Sequence, residues 1–137
     1  MERLLYIGAA AAGFLGVAFG AFGAHALRAK LSSEMLAIFE TGVRYQMYHA
    51  FAAVAAAWAL ARWQQRVIGA AGVLFLAGIV VFSGSLYLLA LTGERWLGAV
   101  TPFGGVAFLA GWTCLAWGAW SAQKSGWLAD RDRGDDR

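Results

Sequence analysis

Seven side chains that can donate, accept or carry charge fall inside FETGVRYQMYHA, residues 39–50 of a chain that is 61% hydrophobic: Glu40, Thr41, Arg44, Tyr45, Gln46, Tyr48 and His49. Glu40 and Arg44 stand four apart, the spacing of an ion pair on one helix face. His49 lies five residues beyond Arg44, about 7–8 Å further along a helix axis, and an imidazole can donate, accept, carry a proton or ligate a metal. At about 100° per residue, Glu40, Arg44, Tyr48, Thr41, Tyr45 and His49 share one half of the helix circumference. Val43, Met47, Ala50 and Val54 share the other half, and Gln46 is the exception. The expectation is that the polar half faces protein and the apolar half faces lipid, because an ionisable group inside a membrane needs a partner.

The elements that hold this stretch are read from hydropathy. The 137 residues include 18 Gly, one Pro and only 14% charged residues, and the mean hydropathy is +0.59. That composition belongs to a membrane protein. Uncharged runs predict spans at about 4–27, 43–62, 67–92 and 99–122. The second is the short one: Tyr45 to Ala61 is uncharged for 17 residues, so a comfortable span extends back through Arg44. Ser32 or Ser33 can cap this helix, and Gly42 marks a bend. The fold expected is all-α, an integral membrane four-helix bundle of one domain with both termini on the same side, followed by a polar tail at 124–137 that has nothing to bury and reads as disordered.

Seven of the eleven basic residues, Arg3, Arg62, Arg66, Lys124, Arg131, Arg133 and Arg137, fall on the side of the termini, which the positive-inside rule assigns to the cytoplasm. Trp58, Trp63, Trp117, Trp120 and Trp127 fall toward the same ends, as an interfacial belt does. Arg3, the apolar run after it and AHA at 24–26 imitate a secretory signal, but the run is too long for a signal core and is read as an uncleaved first helix.

Small residues mark where helices approach. Gly13, Gly16 and Gly20 lie on one stripe of the first span, and the third repeats Ala71, Gly78 and Ser85. The fourth repeats Gly104, Gly111 and Gly118 at the same spacing of seven, as a seam between packed helices requires. Thr101 and Pro102 suit the cap and first position of the fourth helix.

With the first and third spans running outward, His25, Ser83, Ser85 and Tyr87 fall in the outer half of the membrane together with the 39–50 stretch, and Thr101 opens the fourth span on that side. The candidate polar pocket is therefore His49, Arg44, Glu40, Tyr45, Tyr48, His25, Ser83 and Tyr87. The competing account is interfacial anchoring, with Arg and Glu snorkelling and the tyrosines at head-group level.

Four segments, GAFGAHAL at 20–27, FETGVRYQMYHA at 39–50, FSGSLYLLALTG at 82–93 and TPFGGVAFLAGW at 101–112, resemble the signature segments of a small bacterial inner-membrane family catalogued as a domain of unknown function, to which the eukaryotic transmembrane protein 256 is related. The resemblance covers residues 1–122 and implies a four-helix protein of the bacterial inner membrane. It carries over no reaction and no substrate.

Three function classes remain. The leading one is a non-enzymatic small subunit or accessory protein that packs against membrane partners or itself, since no nucleotide loop, zinc-protease or nucleophile-elbow motif is present. The second is a component transporting a small solute or proton. Against it, the third span is apolar from Val67 up to Ser83, and the fourth offers only Thr113 and Cys114 between Thr101 and Ser121. The third is a binder of a lipid head group, a quinone or haem, with His25 and His49 as axial ligands in the haem case. No catalytic residue, metal or cofactor is assigned. Cys114 is the only cysteine and excludes an intramolecular disulfide. The lipid bilayer is one partner; a net charge of +3 without a basic run makes nucleic acid an unexpected one.

Overall fold

The computed structural model describes residues 1–134, with side chains as far as residue 122. Every regular element among the described residues is helical. Helix α1 (Glu2–Phe22) runs into a π-helical turn at Gly23–Leu27. Helix α2 (Ser33–Trp63) follows a short loop and is capped by Ser32, whose Oγ accepts from Met35 N at 3.2 Å. Helix α3 (Arg66–Gly78), a second π turn at Ile79–Ser83 and α4 (Gly84–Thr92) stack end to end as one bundle helix. A 3₁₀ turn at Arg95–Ala99 leads into α5 (Thr101–Gly134). The helical backbone thus continues through the first part of the polar segment expected to be disordered, and residues 135–137 of that segment lie outside the described residues.

Three of the four bundle helices, Glu2–Leu27, Arg66–Thr92 and Arg95–Ala122, are long and apolar enough to cross a membrane by length and composition. The remaining one, α2, carries Glu34, Glu40, Arg44 and Arg62 and is packed between α1 and the α3–α4 helix. Its central position follows from its alanines: Ala50, Ala53, Ala56 and Ala57 are buried on one side, which lets neighbouring backbones come close where lipid supplies no hydrophobic drive for association. Helices α1 and α5 flank this central pair on opposite sides.

The pairings run antiparallel. Along α1, Gly16 faces Met47 and Gln46, Gly20 faces Val43, and Gly23 faces Phe39. Along the other seam, Ser85 meets Thr101, Gly78 meets Phe108, Phe75 lies over Gly111 and Ile68 over Gly118. A Cβ on Gly104 would collide with the backbone of Phe82, so this crossing admits only glycine. Gly13 is different: nothing lies within 4 Å of where its Cβ would be, and Ala9, Ala12 and Gly16 form the contact face of α1 instead. Met1 sits against Gly69, so the start of α1, the start of α3 and Gly118 share one end of the bundle.

Candidate functional site

Helix α2 is rotated about its axis from the orientation expected of it. Gly42, Gln46, His49, Ala50 and Ala53 are buried, whereas Glu40, Arg44, Tyr45, Tyr48, Phe51 and Val54 are exposed. Val43 and Met47, expected to face lipid, lie against Gly20 and Gly16 of α1. Side-chain size accounts for the difference. The contact face of a membrane helix is the smooth one, so Gly42 and the alanines turn inward and the bulky Tyr48 and Phe51 turn outward. Gly42 does not bend α2, which is continuous through it; it makes room for the Tyr87 ring, which a Cβ there would meet at 2.8 Å.

This rotation places Gln46, absent from the expected pocket, at the centre of the polar interior. Its Nε2 donates to the carbonyl oxygen of Ala12 in α1 at 2.7 Å, and its Oε1 accepts from the hydroxyl of Tyr87 in α4 at 2.8 Å. A carboxamide suits this place because it offers donors and an acceptor without a charge. The tyrosine is steadied by its rings' neighbours, Phe19 at 5.1 Å edge-on and Phe39 at 4.8 Å. Three bundle helices are thereby joined through one residue. The signal was present in the sequence: Gln46 is the only carboxamide in the spans, and it continues the small-residue line Gly42, Ala50, Ala53 at helical spacing.

His49 belongs to a separate cluster on the part of the buried face of α2 that is turned toward α5. Its Nδ1 donates to the Tyr45 carbonyl oxygen at 2.8 Å, and its Nε2 accepts from Trp112 Nε1 in α5 at 3.4 Å, so the Nδ1–H tautomer satisfies both nitrogens. The ring lies flat on Phe108 with centroids 3.4 Å apart and is flanked by Phe75. Tyr45 stacks on Phe82 at 4.6 Å in the same aromatic layer.

The other expected members are dispersed. His25 is exposed in the first π turn. It lies beyond the level where Gly23 faces Phe39, and Phe39 is itself ten residues from His49, roughly 15 Å along the axis. The two imidazoles do not fit a pair of haem ligands, since both His49 nitrogens are engaged and its ring face is covered. Ser83 is fully buried and its Oγ has no hydrogen-bond partner among the described residues. Ser85 Oγ and Thr101 Oγ1 are 2.8 Å apart, and Thr101 also reaches back to the Leu97 carbonyl at 3.4 Å, a tie between helices in place of the expected cap. Glu40 and Arg44 do not pair with each other. Arg44 Nη2 donates to Thr41 Oγ1 at 3.2 Å, and Thr41 Oγ1 donates to the Ala37 carbonyl at 2.8 Å.

Two clefts open on the surface between α1 and its neighbours. The larger, about 450 Å³, is apolar and has Gln46 and Tyr87 among its lining residues. The smaller, about 270 Å³, lies between the end of α1 and α2 and carries Glu40 and Arg44.

Residues 19–105, which contain both polar clusters except Ala12, Phe108 and Trp112, match the family described as "Protein of unknown function (DUF423)". The chain belongs to this family. Its relatives include the UPF0382 membrane protein SH2409 of Staphylococcus haemolyticus, 45% identical over 84% of this chain and 93% of the relative. The UPF0382 membrane protein YwdK of Bacillus subtilis is 44% identical over 84% of this chain and 94% of its own length. The UPF0382 inner membrane protein YgdD of Escherichia coli K12 is 41% identical over 91% and 95%. No solved structure matches the chain. As a member of the DUF423 family, it is a membrane protein, with the lipid bilayer as a partner.

Proposed function

We propose that this protein is a multi-pass protein of the bacterial inner membrane that catalyses no reaction and acts as a small accessory component, packing its outer helix faces against other membrane subunits or against a second copy. The observation that carries this reading is the fate of the buried polar groups. Gln46, His49 and Ser85 are each hydrogen-bonded to a neighbouring helix and hold the bundle closed. A transport route needs polar partners along its whole length. Here α3 and the π turn after it offer no side-chain hydroxyl, amide or charge between Val67 and Phe82, and Thr113 in α5 bonds to its own helix at the Leu109 carbonyl.

The outer face of α1 supports association. Gly13 is unobstructed, and Phe14 and Val17 beside it are exposed, so a helix of another chain can approach closely there. The distribution of basic residues supports an orientation with both termini and the Arg62–Arg66 turn in the cytoplasm.

Photo-crosslinking in intact cells tests the reading. A photoreactive residue at Gly13 or Val17 is expected to give a discrete protein adduct, and one at the fully buried Ala53 is not. Vesicles containing the purified protein should pass protons no faster than protein-free vesicles. Sustained flux, or lipid adducts alone from every outward position, contradicts the proposal.

A further inference from the structure

The smaller cleft has a built-in polarity that the packing role does not use. We propose that it binds one zwitterionic aminophospholipid, with Arg44 on the phosphate and Glu40 on the primary ammonium. Its apolar walls are Phe19, Gly20 and Gly23 from the end of the first bundle helix, and Phe39 and Val43 from α2. The glycines create the space: a Cβ at Gly20 would touch Val43 at 3.4 Å, and one at Gly23 would crowd the Phe39 ring at 3.1 Å.

The height of the cleft follows from the sequence. Tyr45 to Ala61 is uncharged, Arg44 is the first charge beyond it, and Glu40 stands one helical turn, about 6 Å, further toward the loop. Both side chains are exposed, and Arg44 donates to Thr41 while Glu40 forms no ion pair among the described residues. The guanidinium keeps further N–H groups in a fork that matches phosphate oxygens. From the membrane centre outward the cation precedes the anion, and the apolar walls stand beside them at the same two levels, Val43 opposite Gly20 and Phe39 opposite Gly23. An aminophospholipid presents its phosphate and then its ammonium in the same order, so each charged group meets its complement. An anionic lipid without an amine sets Glu40 near a phosphate with nothing to neutralise it. A choline lipid has no N–H to donate to the carboxylate.

The test is native mass spectrometry of the full-length protein from detergent with phosphatidylethanolamine, phosphatidylcholine and phosphatidylglycerol supplied in equal amounts. Phosphatidylethanolamine should be retained about three- to fivefold over the other two, the range expected of exposed charge pairs. Glu40→Gln should remove the preference over phosphatidylcholine, Arg44→Gln should lower retention of all three lipids, and Gly20→Leu should fill the slot and weaken retention generally. Helical content by circular dichroism identifies any variant that fails to fold, and the exposed Glu40→Gln keeps the test intact in that case. Equal retention of the three lipids overturns the proposal. So does a preference for phosphatidylglycerol, an unchanged preference in Glu40→Gln, or a second copy of the chain occupying the cleft in place of lipid.

Discussion

Gln46 carries more of the interior than its single uncharged side chain suggests, because both ends of its carboxamide are committed to other helices. Hydrogen bonds between membrane helices contribute about 0.6 kcal/mol on average and up to about 1.7. Tyr87→Phe removes one donor and leaves the Gln46 oxygen unpaired, so it should destabilise the bundle by about 1 kcal/mol. Gln46→Leu removes both bonds and leaves the Tyr87 hydroxyl without its acceptor, and should cost more. The double variant should cost less than the sum of the two, because the orphaned partner disappears with the bond. Unfolding of the purified protein in mixed micelles checks this, and strict additivity would show that the two residues do not interact. His49 works by the same logic toward α5, tied to Trp112 and laid against Phe108.

At the scale of the element, a glycine's importance depends on what its missing Cβ would meet. Gly104 faces the backbone of Phe82, which cannot move aside without displacing the whole α3–α4 helix. Gly104→Ala should therefore destabilise by about 2 kcal/mol or more, in the range of overpacking a close contact. Gly13 and Gly84 have nothing within 4 Å. Alanine at either should be neutral or stabilising by up to about 1 kcal/mol through helix propensity. Parallel thermal melts of the three variants give the comparison, and a Gly13→Ala loss as large as that of Gly104→Ala would contradict the assigned contact face of α1. The π turn at Ile79–Ser83 belongs at this scale as well, since it joins α3 to α4 without ending the bundle helix. The two halves then direct Phe75 to Gly111 on one side of the turn and Ser85 to Thr101 on the other.

For the molecule as a whole, the antiparallel seams bring Met1, Ile68 and Gly118 to one end and Phe39, Ala90 and Leu27 to the other. The basic residues that flank the first end lead to a topological prediction. In a Cys114→Ala background, a cysteine at Gln65 should be shielded from a membrane-impermeant thiol reagent in intact cells and react after permeabilisation. A cysteine at Lys30 should react from outside. Labelling of the Gln65 position from outside would invert the orientation.

The sequence by itself determined the class and the number of helices, because hydropathy is a local property that survives into any packed arrangement, whereas the small-residue stripe it shows on α1 includes Gly13, which has nothing within 4 Å of its Cβ position. Membership of the DUF423 family was legible for the same reason, in contiguous motifs. Only the tertiary structure decided which way α2 turns. In a soluble helix the polar face marks water, but in lipid an alanine face and a valine face are equally free to point outward, so polarity alone does not orient the helix. Close packing decides, and it selected Gly42 and the alanines, drawing Gln46 inward beside them and leaving Glu40, Arg44 and Tyr48 outside. The separation of His25 from His49 was likewise invisible along the chain, since it depends on the antiparallel register of α1 against α2, which is set by Gly16, Gly20 and Gly23 meeting Met47, Val43 and Phe39.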